Sequence, residues 1–234
     1  MIRHSELTRR EALRAVAGGV LCSMARAAFT FHFATFTRDI TPPLGHPLLD
    51  GPYGPALKIG DPLYAKGFVL LGAGEPLAFV VVDFCEIRSV AFECWQTAIG
   101  EAAGTDPSRV LLSSGQMHNA PLADTVADTI LEDYGIKGEI CDPAYRKRCV
   151  RRTAEDIRQA VRVPRKVAHF GFGHARVDRV VSNRRAVRLD DTATFARFST
   201  THDPVIRNAP GGLVYPYLKS LSFFYDGRPL TALS

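Results

Sequence analysis

The chain lacks most of the short motifs that announce a catalytic site. None of its 5 cysteines forms a C-x-x-C pair, which argues against a zinc ribbon or a thioredoxin-type dithiol. There is no H-E-x-x-H pair to place two zinc ligands on one helix face, and no G-x-S-x-G elbow to present a serine nucleophile. The stretch "GFGHAR" at 171–176 has Gly171 and Gly173 but no third glycine, and it opens no helix, so a Rossmann dinucleotide site is excluded. Internal repeats and low-complexity tracts are missing, and no apolar run is long enough to cross a bilayer.

What remains is an ordinary globular composition. With 234 residues, 46% of them hydrophobic, the chain can bury one sizeable core or two small ones. Its net charge of +5 invites a nucleic-acid reading. However, Arg3, Arg9, Arg10, Arg14 and Arg26 against Glu6 and Glu11 put +3 of that charge in the first 28 residues. The rest is close to neutral, so nucleic acid is not an expected partner.

That N-terminal segment reads as an address. Thr8 to Leu13 form a twin-arginine pattern, "AVAGGVLCSM" is mildly apolar, and Ala25, Arg26 and Ala27 make an A-x-A site. The expectation is a leader over residues 1–28, export to the periplasm or beyond, and a folded region over 29–234. Leu21 before Cys22 is bulky for a lipoprotein cleavage site. Four cysteines follow: Cys85, Cys94, Cys141 and Cys149. An oxidising destination permits Cys85 to Cys94 or Cys141 to Cys149 bridges, and four buried thiols are the equal alternative.

Hydrophobic patterning predicts an α/β fold class: a mixed β-sheet with flanking helices and a β-rich C-terminal part. "FHFATFTRDITPP" alternates as a strand and stops at Pro42 and Pro43; a loop rich in Gly and Pro then runs to about Asp61. Loops of that length tend to carry function. "KGFVLLG" and "PLAFVVVDFCEI" read as a hairpin, and "SVAFECWQTAIGEAAG" as a helix closed by Gly104. "VLLSS" then completes a right-handed βαβ crossover, expected to lie between helical layers with its carboxyl end exposed. Residues 121–134 read as a polar-faced helix, and Asp142 with Pro143 caps a longer one whose basic residues form a solvated face. From Lys166 the chain alternates as an extended strand, and an Asp226 and Gly227 turn joins the last two strands.

Several side chains then fall where chemistry could occur. His118 follows "VLLSS" and precedes Asn119 and Pro121, so it sits at the exposed end of a buried strand, where ligand sites form. Asp83 ends "FVVVD" at a neighbouring strand terminus, as a crevice residue or a turn former. His169 and His174 are five apart on an alternating strand and face opposite sides, so they cannot share a metal. In "SNRR", Ser182 to Arg185, the alternatives are a solvated turn or an inward pair of Asn183 and Arg184; a guanidinium suits a carboxylate or a tetrahedral oxyanion.

In order and spacing, "RDITPPLG", "DPLYAKGFVL", "VVVDFCEI", "RVLLSSGQMHNAP", "CDPAYRKRCVRR", "GFGHARVDRVVSNRR" and "APGGLVYPYLKSLSFFYDGRPLTALS" together resemble the N-terminal domain of the neutral, non-lysosomal ceramidases, in particular exported bacterial members. The resemblance implies a zinc-dependent amidohydrolase that cleaves ceramide, or another N-acyl lipid, to a sphingoid base and a fatty acid through a zinc-activated water. By that register the family's H-x-H motif falls on Gln116, Met117 and His118. His118 is then the oxyanion-stabilising catalytic histidine, and the first metal position carries Gln116, a poor zinc ligand. The family's arginine falls on catalytic Arg184, with Asn183 and Asn119 as substrate contacts. Tyr215 stands where the family has an acidic residue before proline. The sequence stops at "GRPLTALS", ahead of the family's next histidine, its glutamate and its tyrosine. The expectation is thus a single, C-terminally incomplete catalytic-type domain that does not bind zinc alone, with hydrolysis impaired or absent. A separate C-terminal half and peripheral contact with a membrane are its expected partners besides the lipid. The alternative reading is a non-catalytic exported lipid-binding or scaffold module.

Overall fold

The computed structural model describes residues 30–49, 54–178, 184–187, 194–197, 201–211 and 213–234. The leader expected over residues 1–28 lies outside them, as does Asn183. The chain divides into two compact units, Met1–Val167 and Ala168–Ser234. The α/β class with mixed sheets and a β-rich C-terminal part is as the pattern predicts.

The first unit is built on a five-stranded sheet, in the order β5-β3-β2-β1-β7. Strands β1 (His32–Asp39), β2 (Tyr64–Gly72) and β3 (Gly74–Val82) are antiparallel neighbours. The β2–β3 hairpin turns within a single residue, Ala73, which Gly74 permits at φ 101°. Helix α1 (Ser89–Ala103) carries the chain from β3 to β5 (Val110–Ser114), which pairs parallel to β3 from Ala78↔Val110 to Val82↔Ser114. This is the expected βαβ crossover. Gly104 ends α1 in the left-handed region at φ 73°, and the Thr105 amide donates to the Gly100 carbonyl at 2.9 Å.

One face of the sheet takes the core. Ala34, Phe36, Ala65, Val69, Ala78, Val80, Val82, Val110 and Leu112 meet the apolar stripe of α1, Ala91, Trp95, Ile99 and Ala102, whose spacing is helical. A second helix, introduced by β4 (Glu86–Ile87) and β6 (Leu122–Ala123), is α2 (Thr125–Glu132). It is shorter than the predicted 121–134 because Leu122 and Ala123 pair in parallel with Glu86 and Ile87, which places the cap at Asp124. Helix α3 (Pro143–Ala160) covers the same sheet face through Tyr145, Cys149, Ala154 and Ile157. Asp142 Oδ1 accepts from the Ala144 and Tyr145 amides at 2.8 and 3.0 Å, the predicted cap. Most of its basic side chains are solvated, as predicted, but Arg146 is buried.

The expectation that β5 lies between two helical layers needs correction. Val110 and Leu112 are buried while Leu111 is exposed, because β5 is the sheet's edge and the described helices of this unit pack on one face only. The other face carries a smaller aromatic ladder, Phe33–Phe68–Phe79, with ring centroids 4.6 and 4.9 Å apart. The four cysteines are free thiols, and Cys94 is exposed, so neither bridge forms. No described helix is long and apolar enough to cross a membrane.

The predicted strand from Lys166 onward is interrupted. Strand β7 (Arg165–Lys166) pairs with β1 in the first unit, and a new strand, β8 (His169–Arg176), begins the second. There β8, β11 (Tyr217–Tyr225) and β12 (Arg228–Leu233) form an antiparallel sheet in the order β12-β11-β8. Asp226 and Gly227 make the predicted hairpin turn, both at positive φ (50° and 70°). A short pair, β9 (Arg185–Val187) with β10 (Thr194–Ala196), and helix α4 (Pro204–Asn208) complete the described part of the unit. His169 stacks on Phe224 at 5.1 Å and His174 meets Tyr217 edge-on at 5.5 Å, on opposite faces of β8 as predicted.

A candidate lipid-amide site beside His118

Strands β3 and β5 end side by side, and the chain beyond each is held to the other. The Gly115 amide donates to Val82 O at 3.0 Å, Gln116 N to Phe84 O at 3.1 Å, and Cys85 N to Pro121 O at 2.8 Å. With both ends of 115–121 fixed, the middle must turn outward. His118 and Asn119 occupy that turn, exposed at the carboxyl end of the parallel pair. The Leu49 amide donates to Ala120 O at 3.2 Å and so ties in the long loop after β1.

That loop folds back on itself. Ile40 N donates to Leu63 O, Gly45 N to Ala56 O and Ala56 N to His46 O, each at 2.8 Å, and the Leu63 amide donates to Thr41 Oγ1 at 3.0 Å. The result is a groove of about 600 Å³ whose apolar wall includes Leu48, Leu57, Ile59, Leu63 and Met117, with His118 and Asn119 at one side. Leu57 is 84% exposed and Ile59 45%, so the apolar wall is open to a ligand. A pocket of this size, mostly apolar with a few polar groups, suits a chain-bearing small molecule. An imidazole and a carboxamide side by side can both donate to a carbonyl oxygen.

Of the residues singled out by sequence, His118 and Asn119 are therefore brought together on one groove. Gln116 is exposed, in the left-handed region at φ 55°, and does not line the groove. Asp83 is a turn former: its Oδ2 accepts from the Tyr64 amide at 2.8 Å, and its own amide donates to Tyr64 O. Arg184 is exposed in the second unit, where its carbonyl accepts from the Arg197 amide at 2.6 Å. Its neighbour Asn183 lies outside the described residues.

Sequence reasoning missed the individual groove residues Lys58, Ile59 and Asp61, although the Gly- and Pro-rich composition of their loop was the available signal. It also missed His46. That ring is 4% exposed, its Nδ1 lies 2.7 Å from the Pro47 carbonyl, and it packs on Tyr145 with centroids 4.4 Å apart. Burial holds its pKa below the ordinary value of 6.5. Burial likewise pushes the Cys141 and Cys149 thiols up to about 11, which keeps them protonated and unreactive.

A catalytic zinc needs three protein ligands and an open position. Among the described residues no three His, Cys, Asp or Glu side chains stand close enough to hold a metal ion. Near His118 the register partner is an amide, Gln116, turned onto the surface. The described residues beside His118 do not bring a zinc ligand set together.

No protein-family model matches the chain, and no curated protein matches it. Among solved structures it is similar to the neutral ceramidase from Pseudomonas aeruginosa, with a TM-score of 0.50 and 15% identity over 87% of this chain and 31% of that one. It is similar also to a ceramidase complexed with C2, with a TM-score of 0.53 and 16% identity over 87% of this chain and 30% of that one. The chain thus spans about a third of the length of these structures. At that identity the likeness carries the architecture, and the chain has a ceramidase-like fold.

Proposed function

We propose that this protein binds an N-acyl lipid amide in the groove beside His118, as a member of the ceramidase type whose hydrolytic power is impaired or lost. The observation that carries the reading is the apolar groove ending on His118 and Asn119 at the strand termini of a ceramidase-like fold. The acyl chain lies along Leu57, Ile59 and Met117, and the amide carbonyl accepts from His118 and Asn119. Excluding water around that carbonyl strengthens both bonds.

Gln116 favours binding over turnover. A hydrolase needs an activated water, and an exposed amide at that position supplies neither a base nor a strong ligand. The second reading, a full amidohydrolase, requires the metal chemistry that the resemblance implies.

The test is titration of the purified chain with a fluorescent short-chain ceramide, read by anisotropy, alongside zinc analysis and a product assay. Saturable binding that weakens about tenfold in Ile59→Asp and His118→Ala supports the proposal. Unchanged binding in both variants overturns it. Stoichiometric zinc with turnover lost in His118→Ala or Arg184→Ala would establish the hydrolase instead.

A further inference from the structure

The loop that builds the groove wall is fastened to helix α3 by a side chain that the lipid-amide reading does not use. His46 is 4% exposed, and its ring meets Tyr145 of α3 edge-on, with centroids 4.4 Å apart. The Tyr145 hydroxyl donates to the Ile40 carbonyl, so the same tyrosine also holds the start of the loop. The backbone of His46 meanwhile belongs to the groove. Its carbonyl accepts from the Ala56 amide at 2.8 Å, the Gly45 amide donates to Ala56 O at 2.8 Å, and Pro47 bridges to Pro55. Leu57 and Ile59, the apolar wall, follow directly from that bridge. Seating the ring and holding the wall are therefore tasks of one residue.

The seat suits the neutral ring alone. The Pro47 carbonyl can only accept, so Nδ1, 2.7 Å away, carries the proton and Nε2 is bare. Nε2 is buried, with no hydrogen-bond partner among the described residues. A second proton there creates a cation with an unpaired N–H in a seat closed to water, which is strongly unfavourable.

The charges around the ring do not offset this. From Thr41 to Leu49 the loop has no charged side chain besides His46 itself. On α3 the Asp142 carboxylate favours the proton, but its Oδ1 is already engaged by the Ala144 and Tyr145 amides, and Arg148 opposes the proton. Lys147 of α3 and Lys137, ion-paired with Glu132, line the depression beside His46. On β1, Asp39 accepts from the Thr41 amide. Burial is the largest influence on the ring and holds its pKa below 6.5.

We propose that His46 is an acid-released latch: protonation expels its ring from the seat against Tyr145, parts the His46–Ala56 bridge and dismantles the wall at Leu57 and Ile59, so that the groove lets its ligand go. The ligand half of this statement rests on the lipid-amide reading, and the latch itself does not. The released ring binds a proton more readily than the seated one. Closure is therefore complete above pH 6.5 and weakens by up to about tenfold per pH unit below it, until the seated ring itself titrates.

Two readouts on the full chain keep those halves apart. The first is amide exchange by NMR from about pH 7.5 to about pH 5, expressed as protection factors so that the intrinsic pH dependence of exchange cancels. The second is the affinity for a fluorescent short-chain ceramide over the same range. Expected is a loss of about tenfold in protection at Gly45 and Ala56 between about pH 6.5 and about pH 5.5, while the amides of β2 and β3 keep theirs and ceramide affinity falls in parallel. His46→Asn, whose carboxamide can donate to the Pro47 carbonyl without titrating, should hold both amides throughout. Asp142→Asn retains a helix-capping side chain and removes the charge that favours the proton, so its transition should move to lower pH; it carries the test where His46→Asn does not fold. Unchanged protection at Gly45 and Ala56, the same loss in His46→Asn, an unmoved transition in Asp142→Asn, or exchange of β2 and β3 in step with the loop overturns the latch. Acid-dependent protection without ceramide binding at any pH overturns the lipid reading and leaves the latch standing.

Discussion

Both compact units are organised around antiparallel strand pairs, yet they do different things with them. In the first, the faces of β1, β2 and β3 that carry Ala34, Phe36, Val69 and Val80 are closed by α1 and α3, and Trp95 is completely removed from solvent. In the second, every residue of β8 is exposed, Phe170 and Phe172 among them at 69% and 65%. The strands are of similar length and similarly rich in aromatics. What separates them is that the first unit contains amphipathic helices of 15 and 18 residues, α1 and α3, while the described helix of the second has 5. A sheet face is stable when something covers it, and helix length decides whether the local chain can do so.

The largest way to break that contrast is Trp95→Ala. It should cost about 3–5 kcal/mol in chemical denaturation, since it empties the junction of α1 with the sheet. Phe172→Ala, by the same measurement, should stay within about 0.5 kcal/mol because its ring is already solvated. Equal losses would show that burial does not distinguish the two positions.

Gly67→Ala comes next. A methyl on Gly67 would lie 1.9 Å from the Phe79 carbonyl oxygen, where two backbones meet and neither can yield cheaply. About 1–3 kcal/mol of destabilisation is expected, with a visible change in the amide spectrum of β2 and β3. Asp142→Ala should cost about 1 kcal/mol by removing the acceptor for two amides at the start of α3.

A pH titration of stability sharpens the comparison further. His46 has its folded pKa lowered by burial from 6.5, so it binds a proton more readily in the unfolded chain. Its contribution is complete above pH 6.5 and is lost as pH falls from 6.5 through the lower folded value. Thermal melts across that window should show the fall, and His46→Gln should flatten it. The smallest effect is on reactivity: alkylation of the native protein, mapped by mass spectrometry, should modify Cys94 and spare Cys85, Cys141 and Cys149 until the chain unfolds. Rapid native labelling of Cys149 would show that α3 opens without global unfolding.

Much of the fold is legible in the sequence because its signals are local. Alternation in "FHFATFTRD", the helical spacing of Ala91, Trp95 and Ile99, the Asp142–Pro143 start and the Asp226–Gly227 turn each depend on a few adjacent residues. Errors arise where a distant partner decides. Leu122 and Ala123 read as helix because their pairing with Glu86 and Ile87 has no local trace, and the strand from Lys166 reads as continuous because its two parts pair with different sheets. At the site, His118 and Asn119 are visible from the strand end. The groove wall at Leu57 and Ile59 is not, because it is made by backbone bonds between Gly45, His46 and Ala56.

The sequence by itself determined the α/β class, the crossover that delivers His118 to a strand terminus, and the caps and turns that bound the elements. These follow from side-chain periodicity and backbone preference within a few residues. Tertiary structure alone decided that β5 is an edge, that the cysteines remain thiols, and that Gln116 turns away from the groove. Each of those depends on which remote segment occupies the neighbouring space, and occupancy of space is not written in any local pattern.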